Sequence, residues 1–163
     1  MKAFTKDFNT GKTIEVEIPD EDLEALQALA QDRISDTKLQ SYIDNLDLPA
    51  DAKALIASIL KTVVRVGEMV IRVGKKIVEV VLMIVSKFPN ATFGLVLGLI
   101  VGALVTSIPL IGGLLGAFVL PIAAAFGLAT GYMDDLRDNS LAKKVAEVSA
   151  MFQPLKSAAN VVS

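Results

Sequence analysis

The sequence predicts a mainly α-helical integral membrane protein with a small N-terminal head, and three observations carry that expectation. Hydrophobic residues make up 53% of the 163 positions, and mean hydropathy is +0.55, high for a water-exposed domain. Residues 88–133 form a run of 46 positions without a charged side chain. The stretch before it, VRVGEMVIRVGKKIVEVVLMI over 64–84, is aliphatic except for Arg65, Glu68, Arg72, Lys75, Lys76 and Glu79. Four segments follow: an acidic cytoplasmic head (1–50), a long amphipathic helix (51–88), a transmembrane helical hairpin (89–133), and a C-terminal cytoplasmic helix and tail (134–163).

The head holds five basic and eleven acidic residues. Its first elements are two short strands, 2–8 and 12–18, around Asn9-Thr10-Gly11. In TIEVEI, apolar Ile14, Val16 and Ile18 alternate with Glu15 and Glu17, the period of a half-buried strand. After Pro19, the acidic residues Asp20 to Glu24 suit the positive end of a helix whose apolar stripe is Leu23, Leu26 and Leu29. A second short helix starts at Ser35 or Asp36 and runs to about Asn45, with Leu39, Tyr42, Ile43 and Leu46 as its buried face. Asp47 and Pro49 open a third.

No proline interrupts the chain from there to Pro89, so residues 50–88 are read as one helix, about 58 Å long. A strand over 61–85 is rejected on parity: Lys61, Arg65, Lys75 and Glu79 are odd, while Glu68, Arg72 and Lys76 are even, which puts charge on both faces. As a helix the same residues are ordered. Heptads from residue 57 place Arg65, Arg72 and Glu79 at one position, Lys61, Glu68 and Lys75 at another, and Gly67 and Gly74 beside them. Stacked glycines admit a close neighbouring backbone. The stripe Lys61, Arg65, Glu68, Arg72, Lys75, Glu79 then has three possible settings. It lies in the membrane interface, forms a compensated seam between helices, or lines the lumen of a ring of identical helices. A lone inserted helix with these charges facing lipid is excluded, at about 2.5 to 3.5 kcal/mol per central charge.

In the charge-free run, Pro109 with Gly112-Gly113 separates helices near 91–108 and 113–133, and Pro121 kinks the second. Gly94, Gly98 and Gly102 form one small-residue ridge, and Ala123, Gly127 and Gly131 another. Such ridges let helices pack tightly in lipid. The tail helix over 134–153 carries Leu141, Val145, Val148 and Phe152 as a narrow seam. Basic flanks on both sides of the hairpin place both termini in the cytoplasm, with the protein in the cell (inner, cytoplasmic) membrane.

The chain has no Cys and no His, which removes the common soft-metal ligands and thiol nucleophile. No nucleophile–base pair, phosphate loop or acidic metal cluster stands out, so no catalytic, cofactor or metal site is expected. No basic patch is interleaved with aromatics, which argues against nucleic acid. A charge-free helical hairpin beside amphipathic helices resembles, in arrangement and without a shared motif, pore-forming colicins and ninjurin-like membrane-rupture proteins. The expectation is a non-enzymatic homo-oligomer in a lipid bilayer, forming a pore or ion channel or otherwise permeabilising the membrane. The alternatives are a membrane-shaping scaffold with a hairpin wedge and an accessory subunit of a larger membrane complex. The acidic head offers a surface for a protein partner.

Overall fold

A computed structural model describes residues 2–6, 13–17, 23–31, 34–66, 69–88, 92–126, 139–155 and 161–162. The strands β1 (Lys2–Lys6) and β2 (Thr13–Glu17) pair antiparallel, with Phe4 opposite Glu15. They sit inside a five-stranded sheet of order β4-β3-β1-β2-β5, with β3 at Val64–Val66, β4 at Met69–Ile71 and β5 at Val161–Val162.

The other two strands overturn the single long helix. After α3 (Ala50–Leu60) the chain forms β3 (Val64–Val66) and β4 (Met69–Ile71) before α4 (Val73–Lys87) begins. Val64 pairs with Ile71 and Val66 with Met69. Val64 and Val66 are buried while Arg65 between them is exposed, the two-residue period of a sheet face. The parity argument failed because it treated 61–85 as one element. Lys61 caps α3, Arg65 alone of the charged residues between 61 and 79 lies in a described strand, and Lys75, Lys76 and Glu79 belong to a helix. The β-branched cluster Val63, Val64, Val66, Val70 and Ile71 has the composition that prefers strands.

The expected transmembrane hairpin is also corrected. Among the described residues, no helix is long and apolar enough to cross a membrane. The described part of the charge-free run is instead α5 (Phe93–Ser107), α6 (Pro109–Leu115), a 3-10 turn at Gly116–Phe118, and α7 (Val119–Ala125). At 15 residues α5 is about 22 Å long, against the roughly 30 Å of a hydrocarbon core. Pro109 starts α6, where its missing N–H costs nothing. The fold class is therefore mainly helical with a small antiparallel sheet, without a membrane-spanning element among the described residues, and the membrane-protein, transmembrane and ion-channel expectations fall with the hairpin.

What satisfies the run's hydrophobicity is the interior. α5 packs against α4, α6, α7 and α8 (Asn139–Met151), and Val96, Leu97, Val101 and Leu104 are completely buried. A helix apolar on every side needs partners all round, and these four helices supply them. The inward face of α8 is Leu141, Val145 and Val148, with Phe152 just beyond its end, and all four are buried. One continuous apolar core joins these residues to Leu26 and Leu29 of α1 (Leu23–Ala30), Leu39 and Ile43 of α2 (Asp36–Asp44), and Ile56 and Ile59 of α3. Tyr42, expected on the inner face of α2, is 45% exposed. Ser35 caps that helix, its hydroxyl accepting from the Lys38 N–H at 3.2 Å.

Candidate functional site

The first turn of α4 carries charge of the wrong sign for its position. Helix N-termini favour anions, yet this turn has no acidic residue, and Lys75 and Lys76 stand in it with Arg72 just before. The two lysines are also 1% and 5% exposed. Buried ammonium groups need partners, and three surrounding pieces of chain provide them.

Asp36, in the first turn of α2, places Oδ1 2.8 Å from Lys75 Nζ and 2.7 Å from Arg72 Nη1. Lys76 Nζ donates to the Gln31 carbonyl at 2.6 Å. Glu79, one turn further along α4 and 5% exposed, lies 4.0 Å from Lys75 Nζ and 3.8 Å from Lys76 Nζ. Its Oε1 accepts from the Ile34 N–H at 3.3 Å, while its Oε2 has no hydrogen-bond partner among the described residues. The cluster thus clamps the stretch around Gln31, Ile34 and Asp36 onto α4.

The ammonium of Lys75, and next the guanidinium of Arg72, hold the Asp36 carboxyl below its ordinary value of 3.8. A depressed folded-state value means that Asp36 contributes stability above the unfolded carboxylate value, and that this contribution disappears as pH falls through the folded value. The chain should therefore lose stability on acidification below about pH 4 partly through this group. Chemical denaturation of Asp36→Asn across pH 2 to 7 should show a smaller acid-dependent loss than the parent.

The six stripe residues are not brought together. Arg72, Lys75 and Glu79 join the cluster, whereas Lys61 and Arg65 are exposed elsewhere. Glu68 lies outside the described residues. Two participants were missed. Lys76 falls off the heptad positions, although its step of three to Glu79 marks the pair. Asp36 was read only as a helix start.

The small residues have separate roles. At Gly74, α3 and α4 cross so closely that a methyl group would fall on the Ile59 carbonyl oxygen. The Gly74 N–H donates to the Thr62 carbonyl, and the Thr62 hydroxyl to that of Ile59 at 2.7 Å. At Gly94, a methyl would strike the Phe126 ring, which stands 6.1 Å from the Phe93 ring. Gly98 and Gly102 are buried within α5, and Ala123 is half-buried on α7. Gly67, Gly127 and Gly131 lie outside the described residues.

Two cavities flank the cluster. One, of about 220 Å³, is lined by Ile34, Lys76, Glu79, Val80, Met83 and Met151. The other, of about 440 Å³, is lined by Leu29, Gln31, Lys76, Met151 and Pro154 among others. Lys76 and Met151 belong to both. Comparison with protein-family models, curated proteins and solved structures finds no match for this chain.

Proposed function

We propose that the chain is a non-enzymatic effector that acts on a lipid bilayer from its surface and self-associates there to permeabilise it. The observation that supports this reading is the enclosure of the charge-free α5 inside a jacket of other helices. That arrangement keeps a large apolar surface available for release. On α7, Leu120 is 80% exposed, and Pro121 and Ala124 beside it are exposed too. This apolar strip is the first contact with the acyl boundary, in the manner of a helix lying in the interface. Anionic headgroups compete with the exposed Asp36 carboxylate for the partly exposed Arg72, which loosens the start of α4 and frees the layer behind it.

The test is dye release from vesicles by the purified 163-residue chain. Release should rise more steeply than linearly with protein concentration. It should be faster from vesicles containing anionic lipid than from zwitterionic ones. Leu120→Asp should slow it at least tenfold while the circular dichroism spectrum is retained. Absence of both leakage and vesicle binding contradicts the proposal. Binding with tubulation but without leakage favours membrane shaping instead.

A further inference from the structure

The pairing register sorts the sheet into two faces of opposite character. Directly opposed residues of an antiparallel ladder share a face. Val66 stands opposite Ala3 and Met69, and Val64 opposite Ile71. Val64, Val66 and Ile71 are buried, and α6 and α1 contact the sheet. Phe4 stands opposite Glu15 and Arg65, and Arg65 opposite Val70. Thr13, opposite Lys6, belongs to that same second face. There Thr13, Arg65 and Val70 are exposed and Phe4 is half-buried.

Charge divides the second face into two halves. The two-residue period places Lys2 and Lys6 on it with Phe4 in β1, and Glu15 and Glu17 on it in β2. Arg65, on the neighbouring β3, extends the basic half. Cations therefore stand on one side of the line between β1 and β2, carboxylates on the other, and Phe4 beside the line. Such a surface is complementary to itself. Two copies can stack these faces about a two-fold axis that runs either across the strands or along them. An axis across the strands sets β1 on β1, cation on cation. An axis along them, between β1 and β2, sets β1 of each copy on β2 of the other, cation on carboxylate in two symmetric places. Lys2 also stands opposite Glu17 within one sheet, a pairing that supports the sheet itself. A carboxylate offers about four acceptor positions, so that pairing leaves capacity for a cation of a second copy.

We propose that the chain forms a weak two-fold dimer by stacking these sheet faces, with β1 of each copy over β2 of the other. Stacked sheets lie about 10 Å apart with their strands within about 30° of each other. At standard strand spacing the face measures about 24 Å by 16 Å. That is well short of the roughly 800 Å² per partner of a stable complex, so the dimer exchanges readily with monomer and weakens as salt screens its charges. The contact uses the sheet and not the strip on α7, so it holds whether or not the chain acts on bilayers.

Sedimentation velocity of the 163-residue chain in detergent-free buffer, from about 10 µM to 1 mM, tests it. At low salt the chain should pass reversibly from monomer to dimer over that range. Raising the salt from about 20 to 500 mM should weaken the dimer at least fivefold. Lys2→Glu with Lys6→Glu makes β1 acidic, and Glu15→Lys with Glu17→Lys makes β2 basic. Each double variant alone should be monomeric, and an equimolar mixture of the two should dimerise again. Mixing restores contacts between copies and leaves the charges within each sheet as they were, so a purely intramolecular role for these residues gives no recovery. Should either double variant fail to fold, Arg65→Glu at its exposed position decides, and it should weaken the dimer at least fivefold. A parent chain that stays monomeric throughout, or a dimer indifferent to salt, overturns the proposal. So does a mixture of folded double variants that stays monomeric, or a folded Arg65→Glu protein that dimerises like the parent.

Discussion

Val101→Asp should cost the fold about 4 to 7 kcal/mol at neutral pH. Val101 has no exposed surface and sits at the centre of α5, with apolar neighbours on every side. A carboxyl in such a place is neutralised by a rise of about 3 to 5 pKa units. Each unit up to the pH of measurement corresponds to about 1.36 kcal/mol, so at pH 7 the shift forgoes up to about 4 kcal/mol, and burying the neutral carboxyl without a hydrogen-bond partner adds about 1 to 3 kcal/mol. The loss is comparable to the whole stability of an ordinary domain, about 5 to 15 kcal/mol. The same substitution at Leu120, also within the charge-free run but 80% exposed, should change stability by no more than about 0.5 kcal/mol. Urea unfolding of the two variants checks the contrast. Equal penalties at both positions would mean that the two sites share one environment, as they would if both faced hydrocarbon.

Glu79→Leu should be the second large effect, a loss of about 3 to 5 kcal/mol. The substitution leaves the buried ammonium groups of Lys75 and Lys76 without the carboxylate 4.0 and 3.8 Å away. It also strips the Ile34 N–H of its acceptor. Lys75 retains Asp36, and Lys76 retains the Gln31 carbonyl, so the loss stays within that range. Replacing both members of the closer pair, Lys76→Met with Glu79→Leu, should recover most of the stability. Two apolar groups of similar shape lack the desolvation penalty that one abandoned charge carries. A double-mutant cycle in denaturant measures this directly. Additive losses in the double variant would show that the two side chains do not interact.

Local patterns in the sequence were more legible than the surroundings they face. The alternation in TIEVEI, the Ser35 cap and the Leu141–Val145–Val148–Phe152 seam are short-range signals, and each coincides with a described strand, cap or buried face. The setting of the charge-free run was not legible, because a helix apolar all round has the same composition whether it meets lipid or protein. The ends of α5 were legible, since 91–108 was expected and Phe93–Ser107 is observed, but a helix of that size lies just below the roughly 17 residues of the shortest membrane spans, so length alone did not separate the two settings. The β3–β4 hairpin was hidden by the charges around it. A heptad pattern drawn across Lys61 to Glu79 joined a helix end, two strands and a second helix. At the cluster, Lys75 and Glu79 were visible as an i,i+4 pair. Asp36 comes from 39 residues before Lys75, and no periodicity connects positions that only tertiary folding brings together.

The central claim is that the apolar run forms the inside of a helical fold. Because the chain has no cysteine, single introduced thiols report on it without background. Val101→Cys and Leu120→Cys should be labelled with a water-soluble thiol reagent in detergent-free buffer. Leu120→Cys should react at nearly the rate of an unstructured peptide. Val101→Cys should be slower by several orders of magnitude and catch up only when denaturant unfolds the chain. Equal rapid labelling at both positions in native buffer, or protection of both only when lipid is present, would contradict the fold described.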